Sequence, residues 1–227
     1  MDGPKKYIIG NWKSNKNRQE TKDWFSFISK QKFSKKTYQY LSVVVCPPFP
    51  YLSLSRVLIS ESQLTIQLGA QDVSPFPNGA YTGEITAIMI KEYAEYVLIG
   101  HSERRKYFHE DDKLLAEKVT RAMEAGLKVV YCVPDEKTEV PQNVDLIAYE
   151  PVWAIGTGKA DTPENASQVI GIIKQKYPQN QVIYGGSVTP ENVVSFVSQS
   201  NIDGVLPGGA SLDPVKFSQM VESISQI

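Results

Sequence analysis

A closed (β/α)8 barrel is the fold class the sequence predicts, on three observations. Short apolar segments recur along the chain at strand length, and helical patterns lie between nearly all of them. The apolar segments are also near-continuous rather than alternating. Strands buried on both faces have that composition and belong to parallel sheets, and strand–helix alternation builds a parallel α/β sheet. Eight such units suggest closure into a barrel, with a doubly wound open sheet as the alternative.

The expected strands are residues 7–10, 41–46, 64–69, 96–100, 127–133, 146–149, 181–184 and 202–206, each bounded by Gly, Pro, Asn or Glu. Trp24, Phe27 and Ile28 follow the helical stripe, as do Leu114/Leu115, Val119, Ala122 and Met123. Gly126 stands where a helix C-terminus favours glycine. Thr162-Pro163, Thr189-Pro190 and Asp213-Pro214 each place a capping residue before a proline suited to the first helical position. Asp111-Asp112 sets two carboxylates at the positive end of another helix.

One unit is short. Only residues 134–144, with Pro134 at the start and Pro141 near the end, separate the fifth and sixth strands. A full crossover helix does not fit there, so the helix between strands 5 and 6 is expected to be shortened or missing, leaving a turn or a single helical turn. The missing helix implies exposed barrel wall at that point.

By length, 227 residues could form two small domains, but no linker or composition shift divides them. One domain spanning 1–227 is expected. Twenty-four basic residues against 25 acidic ones give a net charge of −1, which argues against nucleic acid or an acidic membrane surface as partner. Cys46 and Cys132 lie in separate apolar runs and read as buried thiols of a reducing compartment. With only two histidines, a zinc site of the usual Cys/His spacing has no raw material. No run approaches the ~20 apolar residues of a membrane span, and the N-terminal apolar stretch is too short for a secretion signal. A cytoplasmic protein is expected, and Asn165-Ala166-Ser167 is then a coincidental glycosylation match.

Barrel active sites form at the C-terminal ends of the strands. Those positions hold Asn11-Trp12-Lys13, His101-Ser102-Glu103-Arg104-Arg105, Glu150-Pro151, Gly185-Gly186-Ser187 and Gly208-Gly209. Each has an ordinary reading alone. A lysine after a strand is commonly solvated, a carboxylate is commonly a structural ion-pair partner, and glycine pairs are commonly turns. Their convergence on one rim is harder to assign to chance. Glycine pairs after the last two strands let backbone amides approach a phosphate. Glu150 offers a base, His101 a hydrogen-bond donor and Lys13 a positive charge, the set needed to remove a proton next to a carbonyl. A phosphorylated carbonyl compound is the natural substrate class. Neither a dinucleotide fingerprint nor a GKS/T loop is present, since Lys159 precedes Ala160.

Asn11-Trp12-Lys13, GAYTGE at 79–84, GHSERR at 100–105, AYEPVWAIGTGK at 148–159, YGGSV at 184–188 and DGVLPGGASL at 203–212 resemble the triosephosphate isomerase family, in order along most of the chain. The resemblance implies a TIM barrel that interconverts glycerone phosphate and D-glyceraldehyde 3-phosphate through an enediolate, with no metal or cofactor. It implies Glu150 as the base and neutral His101 as the electrophile, with Lys13 and Asn11 stabilising the enediolate. Glu103, Ser102 and Trp153 would support that set. Gly156, Ser187, Gly208 and Gly209 would hold the phosphate, under a closing lid at 151–159. It also implies a homodimer: Thr82 would reach the neighbour's Asn11 and Glu84 would pair with an arginine matching Arg104. The short fifth unit is similar to compact archaeal forms, some of them tetramers, so a tetramer is the alternative.

Two positions depart from the family pattern. Pro207 replaces a small aliphatic residue before the phosphate-site glycines, and Asp135 replaces a longer glutamate. Two other functions remain open for such a chain: a non-catalytic phosphate-binding barrel, or another phosphate-binding barrel enzyme with a larger substrate.

Overall fold

The computed structural model describes residues 5–31, 33–152 and 160–227. Eight parallel strands close into a barrel in sequence order: β1 (Lys6–Asn11), β2 (Leu41–Cys46), β3 (Gln67–Ala70), β4 (Tyr96–Ile99), β5 (Lys128–Val133), β6 (Leu146–Tyr149), β7 (Gln181–Tyr184) and β8 (Gly204–Val205). Closure is made by Tyr7 opposite Gly204 and Ile8 opposite Val205. The open doubly wound sheet is thereby excluded.

Burial on both faces explains the near-continuous apolar segments. Ile9, Val44, Cys46, Leu98, Val130, Cys132, Ala148 and Ile183 form one cluster. Their neighbours Ile8, Val43, Val45, Val97, Ile99, Val129 and Ile147 join a second one, together with helix residues such as Trp24, Leu115 and Ile170. Alternate residues along each strand thus serve the barrel interior and the layer beneath the helices.

The helices start where the capping chemistry places them. In α1 (Arg18–Ile28), Asn17 and Glu20 form a reciprocal capping box. Asp111, Thr162 and Asp213 cap α6 (Asp112–Glu124), α7 (Pro163–Lys176) and α9 (Pro214–Ser225). Thr189-Pro190 is the exception: α8 (Val193–Val197) begins later, with Asn192 at its N-cap. The Asn192 side chain accepts from the Thr189 amide while the Thr189 carbonyl accepts from the Asn192 and Val193 amides, so the segment forms a turn before the helix.

Strands 3 and 5 start later than their apolar composition suggests, for one shared reason. Leu64 donates its amide back to Ile59 in α3 (Phe49–Glu61), and Leu127 donates back to Ala122 in α6. Each leucine thus closes the preceding helix, beside Gln63 and Gly126 at φ of 51° and 71°.

The connection from β5 to β6 contains turns and no helix, as the short spacing predicts. The expected exposed wall is not found, because Val129, Tyr131, Val133 and Ile147 are all buried. Asp135 organises the connection by accepting from the amides of Lys137 and Thr138 and from the Thr138 hydroxyl, all at 2.9 Å. Although burial works against it, these bonds hold the Asp135 carboxyl below its ordinary pKa. Tyr177, just past α7, pins the other end: its hydroxyl accepts from the Val140 amide at 3.0 Å and donates to Glu139 at 3.2 Å.

Candidate active site

The strand ends bring Asn11, Lys13, His101, Glu103, Gly185, Gly186, Ser187, Gly208 and Gly209 to the wall of one cleft of about 740 Å³. Lys13 reaches it through a left-handed backbone, with φ of 53°, which L-residues adopt only with strain. Hydrogen bonds at both the amide and the carbonyl of Lys13 hold that conformation. The Lys13 amide donates to Asn11 Oδ1 at 3.0 Å, and Gln71 Nε2 donates to the Lys13 carbonyl at 2.9 Å and the Cys46 carbonyl at 2.8 Å. Lys13 Nζ lies 2.6 Å from Glu103 Oε1, a half-exposed pair that orients the ammonium more than it stabilises the fold.

His101 caps the short helix α5 (Ser102–Tyr107), and its Nδ1 accepts from the Glu103 amide at 3.2 Å. A ring nitrogen that accepts an N–H carries no proton, so the geometry assigns the neutral tautomer with hydrogen on Nε2. That nitrogen lies 3.4 Å from Glu150 Oε1.

Glu150 follows β6, where its amide donates to the Val133 carbonyl at 2.8 Å. Its Oε2 accepts from the Ser102 amide at 3.0 Å, whereas Oε1 has no well-directed hydrogen bond among the described residues. The residue is 1% exposed and stands behind the cleft wall rather than in it. Gly185 creates the space it occupies: a Cβ there would meet Glu150 Cγ at 2.8 Å. Burial, and then the neighbouring Glu150, push the Cys132 thiol well above its ordinary pKa.

Gly208 precedes, and Gly209 opens, a 3-10 turn at Gly209–Ser211. The Gly208 and Gly209 amides find no acceptor among the described residues, which leaves them available to an anion. Pro207 is buried, and its carbonyl accepts the Asn11 amide at 2.9 Å, which ties the loop after β8 to the end of β1. Ser187 lines the same end. Trp153 and Gly156 lie outside the described residues.

Thr82 and Glu84 are exposed on the loop after β3, away from the cleft wall. Arg104 is engaged within its own chain, by Asp72 at 2.8 Å and Glu110 at 2.7 Å, and Lys118 joins the same two carboxylates. Reading strand ends for charged groups and glycines missed Gln71, although it directly follows β3. Its role rests on backbone carbonyls, which leave no pattern in a sequence.

Fold and cleft define a class: barrel enzymes that bind a small polar substrate where the strands end. The sequence profile described as "Triosephosphate isomerase" matches residues 6–146 and 138–224. A triosephosphate isomerase of Mesomycoplasma hyopneumoniae is 40% identical over 244 aligned positions, covering 96% of this chain and 98% of its own. That of Dictyoglomus thermophilum is 39% identical, with coverage of 96% and 99%. That of Mycoplasmoides gallisepticum is 37% identical, with coverage of 98% and 100%. The chain belongs to the triosephosphate isomerase family.

Proposed function

We infer that this chain is a triose-phosphate isomerase, interconverting glycerone phosphate and D-glyceraldehyde 3-phosphate. Family membership along nearly the whole chain supports the reaction. The observation that carries the mechanism is the Glu150 carboxylate, held by one amide bond beside a neutral imidazole at the edge of an anion-accepting cleft.

The chemistry follows from that placement. Glu150 leaves the Ser102 amide, enters the cleft and takes a proton from the carbon next to the substrate carbonyl. The electron pair moves to the carbonyl oxygen, where His101 Nε2–H, Lys13 Nζ–H and the Asn11 side chain stabilise the enediolate. Glu150 returns the proton to the neighbouring carbon while a hydroxyl proton passes between the two oxygens through His101. No atom or electron is gained or lost, and the step calls for no metal or cofactor. Gly156, Ser187, Gly208 and Gly209 are assigned to the phosphate. Glu103 and Ser102 support Lys13 and Glu150, and Trp153 belongs to the lid assigned by resemblance.

We further propose a single catalytic domain that works as a homodimer in the cytoplasm. Phe76, Tyr81, Ile88 and Met89 are all at least 40% exposed around the loop bearing Thr82 and Glu84 and on the adjoining helix α4 (Ala87–Lys91), and Phe76 stacks on Tyr81 with ring centroids 4.3 Å apart. Such an apolar cluster fits a second copy of the chain. No helix among the described residues is long and apolar enough to cross a membrane.

A coupled assay in D2O tests the reaction. The expected result is turnover in both directions, with solvent deuterium on the receiving carbon in that part of the product formed after the proton held by Glu150 has exchanged with solvent. Turnover without any solvent deuterium, together with an undiminished rate in Glu150→Gln, would replace the enediolate by a direct hydride shift.

A further inference from the structure

We propose that Lys16 is a positioning residue for the phosphate-binding turn, holding it from behind so that the Gly208 and Gly209 amides face the cleft. Three observations converge on it. Lys16 Nζ donates to the Leu212 carbonyl at 2.8 Å, across 196 positions of sequence. The same ammonium sits 5.0 Å from the centroid of the Trp12 ring, and Trp12 is fully buried. The Lys16 backbone adopts φ of 72°, a conformation that suits glycine and costs a lysine strain.

The turn itself explains why a tether matters. The Gly208 carbonyl accepts from the Ser211 amide at 2.9 Å and from the Ser211 hydroxyl at 2.6 Å. The Ser211 carbonyl accepts from Trp24 Nε1 at 3.0 Å. Lys16 takes the next carbonyl, Leu212, so the acceptors of the turn are drawn away from the cleft. An incoming phosphate then meets amides rather than carbonyl oxygens. The ammonium is the one charged donor in that set. It therefore also brings a positive charge to this side of the anion site, where the Glu20 and Asp213 carboxylates partly offset it. A glycine at position 16 would satisfy the backbone with less strain but would provide neither the tether nor the charge.

The inference rests on the assignment of Gly208 and Gly209 to the phosphate, and its test separates the two. The wild-type chain, Lys16→Gly, Lys16→Met and Lys16→Arg are compared in the isomerase assay with inorganic phosphate as competitive inhibitor. Lys16→Gly removes the side chain while relieving the positive φ, so its melting temperature should not fall. The inhibition constant for phosphate and the KM for D-glyceraldehyde 3-phosphate should rise together about fivefold in the Gly and Met variants. Their kcat should stay within about twofold of wild type, and Lys16→Arg should recover most of the affinity. A phosphate inhibition constant unchanged in folded Lys16→Gly would overturn the proposal, as would a fall in kcat at constant KM. If phosphate fails to compete in the wild-type chain itself, the fault lies with the assignment of the glycines.

Discussion

Glu150 and Gly185 belong together at the residue scale. The Glu150 carboxylate reaches its position only because the neighbouring strand end offers no side chain, and a methyl group at Gly185 would lie 2.8 Å from Glu150 Cγ and 3.3 Å from the Tyr149 carbonyl. Gly185→Ala should therefore displace the carboxylate and lower kcat by roughly tenfold to a hundredfold. Steady-state kinetics with a melting curve would separate this displacement from misfolding; an unchanged kcat would show that the glycine is not needed for the base. The two thiols give a second residue-scale expectation. Cys46 and Cys132 are fully buried, and burial raises both above the ordinary thiol pKa. Neither should react with an aromatic disulfide reagent in the native protein at neutral pH, and both should react in denaturant. Rapid labelling of the native protein would contradict their placement in the core. Residue identities made much of this scale readable, because the roles proposed for Asn11, Lys13, His101 and Glu150 rest on their own side chains. Gln71 and Lys16 act on carbonyls of distant loops, and that relation exists only after folding.

The short β5-to-β6 connection shows what an element can dispense with. Residues 134–144 form turns that Asp135 and Tyr177 hold at either end, and the strand surfaces beneath remain buried without a crossover helix. Tyr177→Phe removes two hydrogen bonds while keeping the ring, and should cost about 1 kcal/mol in denaturant unfolding. Because the connection lies outside the cleft wall, kcat and KM should be unaffected; a loss of activity without a loss of stability would place it in the catalytic machinery. The absence of a helix could be anticipated from spacing and two prolines, but its replacement could not, since Tyr177 comes from beyond the next helix. The late starts of β3 and β5 have a similar cause. Leu64 and Leu127 have strand composition, but their amides close helices, and composition alone does not choose between those partners.

For the whole molecule, barrel closure was within reach of the sequence, because parallel strands buried on both faces leave few alternatives once eight of them alternate with helices. The proposed association rests on the exposed apolar residues Phe76, Tyr81, Ile88 and Met89. Sedimentation at two concentrations should give a dimer, and replacing Met89 by glutamate should shift it towards monomer while lowering activity. A fully active monomer would remove Thr82 and Glu84 from any role at a neighbouring site. The central claim is that one carboxylate at the end of β6 moves the proton of a triose phosphate. Its most direct measurement is kcat of Glu150→Gln in the coupled assay, with the melting temperature taken alongside. A fall of roughly a thousandfold with the fold intact is expected; an intact protein that turns over at the wild-type rate would contradict the assignment of the base.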